Sequence, residues 1–427
     1  MIFHRSFALI PLFFFGKILA QSPVRDTALI ALTRSAFTPL YYGAGTDRLG
    51  GARLETLDSG VVLRVTGYTP TLWRVHLAPN RTAYVPIEQV TADTLPRPAS
   101  GLTGTGRVWG DERFDYVSIA LPARLPYASR YETSPNRLVV DVFGATSNTN
   151  WIMQLRSAQE IREVSYEQVS DDVFRLKISL RHPLPWGHSV FYQKQALVIR
   201  VRRPPARLRL RGLTVAVDAG HGGSNTGARG GQSGRLEKEF TLDVAQRLRR
   251  SLERAGARVI LTRNADTALS PTERLRAMRQ ALPDLLLSVH FNASANRAVR
   301  GVSTYYRHEG FRPLSVAVLR ELLRMPVAEF GNVGAFNFFF NAPTDYPNVL
   351  VEGPFLSNET DEALILDQAF RQRMAERICR GVRRFLKEAR RGKHGSRWAE
   401  RSVARSKRQA KVATPRTSTV RRPLRPA

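Results

Sequence analysis

The chain has 427 residues, 43% of them apolar and 24% charged, with a formal net charge of +29 at pH 7. That length and apolar share can furnish several packed cores and exclude a wholly disordered or fibrous chain. The single cysteine, Cys379, excludes an intrachain disulfide and is read as a buried thiol in an amphipathic helix, so packing must hold the fold together.

In chain order, residues 1–20 combine His4 and Arg5 with an apolar run over 7–15 and a small-residue end at Ala20, the pattern of a secretory signal peptide. The run is shorter than the roughly 20 apolar residues of a membrane span, and no later stretch reaches that length. A periplasmic or secreted protein without a transmembrane anchor is expected.

Residues 26–94 alternate short β-patterned runs with turn residues, as in VVLRV, LWRVHL and TAYV, and predict a small β-barrel. A Trp73-bearing strand followed by a turn and an aromatic-Val strand resembles a bacterial SH3-like domain, with Trp73 as core. A Pro/Gly/Ser linker follows, and 102–203 again alternates polar and apolar positions (RLVVDVFG, FRLKISL, ALVIRV), which predicts a β-sandwich. The order of these runs resembles the AMIN domain that precedes the catalytic domain of many cell-wall amidases.

Beyond a basic connector at 202–211 the pattern changes to alternating strands and helices over 212–388. Strands are predicted at 214–218, 257–262, 285–289, 302–306 and 349–352. Helices are predicted at about 238–255, from the Ser270-Pro271-Thr272-Glu273 capping sequence onward, and as one long stretch from about 359 to 390. This alternation predicts an α/β domain with a mainly parallel sheet flanked by helices, preceded by two small all-β domains. The last segment, 389–427, lies in a run from Lys387 onward with 14 Lys/Arg against 2 Glu, and is expected to be a disordered basic tail. For an exported protein the nearer polyanion is the anionic envelope surface, so no nucleic acid partner is expected.

Three predicted strands end close to residues that bind metals or move protons: His221 in a glycine-dense loop, His290, and Glu352. Ligands of an open α/β sheet gather at the carboxyl ends of its strands, which places all three at one site. Neutral imidazoles are common zinc ligands, and Glu237, sixteen residues after His221 at a helix start, can fold back as the third. A carboxylate straight after Val-Leu-Val needs a cation, donor or proton, so Glu352 reads as the general base of an amide hydrolase. The glycine loop could instead cradle a phosphate, but no Walker lysine-serine follows and the dinucleotide spacing is absent.

The ordered segments DAGHGG, TGARG, LEKEFTLDVAQRL, VILTRNADTALSPTERLRAM, DLLLSVHFNAS, GVSTYY and VLVEGPFLSN resemble the zinc-dependent N-acetylmuramoyl-L-alanine amidases of the amidase_3 family. The resemblance implies a Zn2+ cofactor and cleavage of the amide joining N-acetylmuramic acid to L-alanine in peptidoglycan, in cell-wall remodelling and cell separation. It assigns His221, Glu237 and His290 as metal ligands and Glu352 as the catalytic glutamate. Arg263 and Arg274 recur in the same motifs; Arg263 is a candidate to contact the substrate or the carboxylates around the metal, and Asn292 a candidate polar contact near the metal. An ion pair of Arg263 with Asp218 or Asp284 is the simpler expectation, and Asn358 is expected to cap a helix. Asn225, Ala219 and Pro354 depart from the usual pattern without removing a ligand. The short interval between His290 and Glu352 leaves little room for a blocking helix, so an open site is expected. The need for an activator protein is left open. Two other functions fit the same residues: a zinc peptidase cutting another stem-peptide amide, and a non-catalytic wall-binding regulator.

Overall fold

A computed structural model describes residues 24–45, 51–93 and 98–392. The expected signal peptide, and the tail beyond residue 392, lie outside the described residues. No described helix is long and apolar enough to cross a membrane.

The first β region forms a seven-stranded sheet built from strands between Arg25–Thr33 and Val90–Asp93. The second contributes a five-stranded and a four-stranded sheet between Gly106–Gly110 and Ala196–Arg202. Strands such as Val173–Leu180 bury nearly every other residue, because successive side chains leave a strand on opposite faces, whereas Asn136–Phe143 is buried on both. One apolar cluster runs through both regions, and Trp73 packs partly buried against it.

That cluster also takes in Phe311 from the third region, 1% exposed, which inserts beside Tyr131 with ring centroids 5.8 Å apart. Burying a phenylalanine stabilises by about 1.5–3 kcal/mol, so this ring pins the α/β region to the β regions.

The α/β region contains β1 (Thr214–Ala219), α1 (Glu237–Arg254), β2 (Arg258–Leu261), α2 (Pro271–Ala281), β3 (Leu285–Asn292), β4 (Val302–Tyr305), α3 (Arg312–Leu322), β5 (Glu329–Val333), β6 (Asn348–Phe355), α4 (Glu359–Leu366) and α5 (Gln368–Arg390). The sheet order is β2-β1-β3-β6-β4-β5. The pairs from β2 to β6 are parallel, as is β4 with β5, but β4 runs antiparallel to β6. The sheet is therefore mixed, and the mainly parallel expectation holds only up to β6.

Two further expectations are corrected. β3 and β6 continue past their predicted ends, so His290 lies inside a strand and not just after it, and Glu352 lies within β6 and not at its last position. Pro354, which cannot donate a ladder hydrogen bond, is accommodated at a register shift opposite Phe291 and Asn292. The single C-terminal helix is two: Asp367 adopts an extended conformation and its side chain accepts from the N–H groups of Ala369 and Phe370, which ends α4 and starts α5.

Helix α2 starts as its capping sequence predicts. Ser270 Oγ accepts from the Glu273 N–H at 3.2 Å and Glu273 Oε2 accepts from the Ser270 N–H at 2.8 Å. Cys379 is buried, and its thiol points at the Ser251 carbonyl 3.7 Å away.

Candidate metal centre

Beneath the glycine loop lies a buried ion pair. Asp218, fully buried at the end of β1, accepts from Arg274 Nη1 at 2.9 Å, Thr262 Oγ1 at 2.7 Å and Ser288 Oγ at 2.7 Å. Arg274 also donates to the Ala219 and His221 carbonyls. Arg263 does not form the ion pair expected for it. Its guanidinium donates to the carbonyls of Ala219, Gly220, Ala265 and Lys238 and to Thr241 Oγ1, and at 3% exposure it lies under the loop. Asp284 pairs instead with Arg202 at 2.6 Å. Two arginines thus replace regular secondary structure as hydrogen-bond donors to the loop carbonyls.

The loop holds His221 in the left-handed region at φ 62°, a costly conformation for a non-glycine residue. Glycine is required on both sides of it. A Cβ on Gly220 would lie 2.3 Å from the His290 ring, and one on Gly227, itself at φ +68°, would lie 2.5 Å from Glu237 Oε2.

The three expected ligand residues meet. Glu237 Oε1 lies 3.0 Å from His221 Nε2 and 3.1 Å from His290 Nδ1, and those two nitrogens are 3.1 Å apart. Glu237 is held from behind, its carboxylate accepting from the N–H groups of Phe291 at 3.0 Å and Ala228 at 2.8 Å. His221 Nδ1 donates to Asn225 Oδ1 at 2.9 Å, which leaves the Nε2 lone pair facing the cluster. Burial opposes charge on both residues. Even so, without an ion the pairing with protonated imidazole holds Glu237 well below the usual carboxylate range, and the Glu237 contact raises the His221 imidazole above its ordinary value.

Electron-pair donors converging this closely need a proton or a cation between them. Tetrahedral zinc with bonds of about 2.0–2.2 Å separates its ligand atoms by about 3.3–3.6 Å, close to the observed spacing. The donor set, two imidazoles and one carboxylate, fits zinc, and it is the one such group among the described residues.

Glu352, 7% exposed, is the register partner of His290 on the adjacent parallel strand, so the two side chains leave the same face of the sheet. Asn292 Oδ1 accepts from the Ala293 N–H at 2.9 Å, a local turn contact, and Asn358 caps α4 through the Asp361 N–H, as expected. A cavity of about 160 Å³ opens beside His221 and His290, walled by Phe338, Phe339 and Phe340. The histidine side chains retain 21% and 17% of their surface to solvent, respectively.

Sequence reasoning missed three contributors. Asn225 was noted only as a departure, yet it orients His221. Arg274 carries no role in the sequence reading, yet it neutralises Asp218. The aromatic wall comes from the run FNFFF, which reads in sequence as one more apolar segment.

Asn337 in that run joins the wall to the first β region. Its Oδ1 accepts from Arg307 Nη1 at 2.8 Å and the Arg53 N–H at 3.3 Å, and its Nδ2 donates to the Gly51 carbonyl at 2.8 Å.

Residues 215–384 match the family profile described as N-acetylmuramoyl-L-alanine amidase, Amidase_3. The probable cell wall amidase LytH of Staphylococcus aureus is 33% identical over 178 residues, or 42% of this chain and 60% of that protein. The chain thus spans less than two thirds of that relative's length. Among solved structures, the catalytic domain of the amidase CwlV from Bacillus (Paenibacillus) polymyxa var. colistinus is 29% identical, covering 41% of this chain and 98% of its own, with a TM-score of 0.40. An N-acetylmuramoyl-L-alanine amidase from Clostridium difficile 630 is 30% identical over 40% of this chain and 94% of its own, with a TM-score of 0.39. The α/β region of this chain, residues 215–384, is an Amidase_3 domain.

Proposed function

We propose that the chain is a zinc-dependent N-acetylmuramoyl-L-alanine amidase acting on peptidoglycan outside the cytoplasm, in the periplasm or after secretion. The observation that carries this reading is the convergence of His221 Nε2, His290 Nδ1 and Glu237 Oε1 at 3.0–3.1 Å inside an Amidase_3 domain. The regions at 26–94 and 102–203 serve as SH3-like and AMIN-like modules that bring the wall to the cleft.

His221, His290 and Glu237 would hold the ion, which would supply Lewis acidity toward an amide carbonyl and toward water. Asn225 fixes the His221 tautomer, and the Phe291 and Ala228 N–H groups fix the Glu237 carboxylate. Glu352, projecting beside His290, accepts the proton of the attacking water and delivers it to the departing amine of L-alanine. The Phe338–Phe340 wall excludes water from one side of the cavity, which strengthens each electrostatic contact inside it. Arg263 and Arg274 stay under the loop as its supports.

Digestion of purified peptidoglycan should release stem peptides that begin with L-alanine. Glu352→Gln should retain zinc by metal analysis while turnover falls about 10²–10⁴-fold. Products cut within the stem would replace the proposed bond with another amide. Zinc lost from the variant, or turnover close to that of the unaltered protein, would remove the role of Glu352.

A further inference from the structure

A cavity larger than the one at the metal centre lies elsewhere in the fold. It has about 700 Å³ and lies where the basic connector runs beside the end of α5. A second of about 420 Å³ shares Leu208, Arg209 and Arg390 with it, and a third of about 320 Å³ shares Arg383 with the second. Together they form one trough along the C-terminal half of α5.

Two rows of cations line it, each placed by the geometry of its own element. In the connector, which bends at 206–210 and turns at 211–212, Arg207, Arg209 and Arg211 are all exposed while Leu210 between the last two is buried. On α5, Arg380, Arg383, Lys387 and Arg390 follow a three-four-three spacing that puts them on one helical stripe, and all four are exposed. The 420 Å³ cavity is lined by Arg209, Arg211, Arg383, Arg384, Lys387 and Arg390 and by no carboxylate.

Neighbouring cations behave differently. Arg203 is bound to buried Asp115 at 2.7 Å and Arg384 to Glu321 at 2.7 Å. Among the described residues, none of the seven in the two rows forms an ion pair with a carboxylate. The acidic side chains that line the trough sit toward its ends: Glu112 and Glu160 in the 700 Å³ cavity, with Glu160 bound to His182, and Glu376 in the 320 Å³ cavity, accepting from Gln372 at 2.9 Å. Like charges at i and i+4, as in Arg383 and Lys387, destabilise a helix by about 0.2–0.5 kcal/mol, and an anion between the rows reverses that sign.

We infer that this trough binds a linear polyanion with a phosphodiester or phosphate charge on each repeat. The concave shape and the two facing rows favour a strand over a bilayer, whose flat surface would not reach the floor. The trough lies beside the start of β1 and the metal ligands lie beyond its end, about 20 Å away along a six-residue strand. A bound strand would therefore tether the protein without covering the cleft. The basic sequence that follows Arg390 continues the same charge.

The test uses the full chain and inorganic polyphosphate as probe, with anionic phospholipid vesicles as a second arm. Arg209→Glu, Arg383→Glu and Lys387→Glu combined should weaken polyphosphate binding at least tenfold and flatten its salt dependence, because fewer counterions are released. A control with the same net charge, Arg34→Glu, Arg107→Glu and Arg162→Glu combined, should change binding less than twofold. Equal losses in the two triples would overturn the inference in favour of unspecific attraction to a basic protein. Loss of vesicle binding with polyphosphate binding intact would overturn it in favour of a membrane surface. Circular dichroism and zinc content establish that each triple is folded, and neither binding readout depends on amide hydrolysis.

Discussion

The protein contains two histidine pairs in opposite electrostatic settings. At the cleft, His221 and His290 each lie within 3.1 Å of the Glu237 carboxylate and keep part of their surface in water. At the seam between the β regions and the α/β region, His188 is 2% exposed and meets only neutral groups, Tyr131 Oη at 2.8 Å and Ser129 Oγ at 2.9 Å. Burial pushes His188 down to about 3. Burial and then the Arg307 charge push His308 down to about 4. The same side chain is thus prepared for a cation in one place and used as a neutral hydrogen-bonding wedge in the other.

The seam network runs across all three regions. Ser129 Oγ donates to Glu55 Oε2 at 2.6 Å, which leaves it to accept from His188 Nε2, while Tyr131 donates to His188 Nδ1. The His188 N–H donates to the Thr344 carbonyl at 2.7 Å, and His308 stacks edge-on against Phe311. A charged His188 would leave this chain of donors and acceptors with one donor too many.

The largest expected effect comes from the floor of the cleft. Arg274→Met leaves Asp218 buried without its cation and should cost about 3–5 kcal/mol, read as a drop in thermal midpoint. A change below about 1 kcal/mol would mean that Thr262 and Ser288 satisfy the carboxylate alone.

At the seam the expected effect depends on pH. The folded state keeps His188 neutral down to about pH 3, whereas an unfolded histidine titrates near 6.5. Below about pH 6.5 the unfolded chain binds the extra proton, so stability is fully present above that value and falls as pH drops toward 3. The slope from this residue is at most about 1.4 kcal/mol per pH unit. Denaturant midpoints between pH 7 and 5 should fall less in His188→Gln than in the unaltered chain. Identical pH slopes for the two proteins would break the comparison.

The smallest effect is expected at the cleft rim. Asn225→Ala removes the acceptor that orients His221, and zinc affinity should fall about 10–100-fold with little change in thermal midpoint measured without metal. A competition titration against a chelator reads this directly. An unchanged affinity would show that the backbone strain at His221 alone sets the ring orientation.

Much of this was legible in the sequence. Periodicity placed both β regions and most α/β elements. The Ser270 capping box started α2 where expected, and the strands carrying His221, His290 and Glu352 did meet at one end of the sheet. Such features rest on local rules of period, cap and turn, together with the rule that open α/β sheets gather ligands at one edge. The break at Asp367 was also written locally, as an acidic cap, but the continuous helical pattern on both sides concealed it.

Only the tertiary structure decided the rest. The sense of β4 depends on which neighbour it pairs with, and nothing in its four residues, VSTY, specifies that. The partner of Asp218 was settled by distance across the fold, which gave it Arg274 and turned Arg263 into a donor to loop carbonyls. Phe311 entering the β core and Asn337 clasping Arg53 and Gly51 are contacts between residues far apart in the chain. By itself the sequence determined the chemistry carried by the strand ends. Which charges are buried together, and which rows of arginine face an open trough, were fixed by packing, since a charge's partner is chosen in three dimensions.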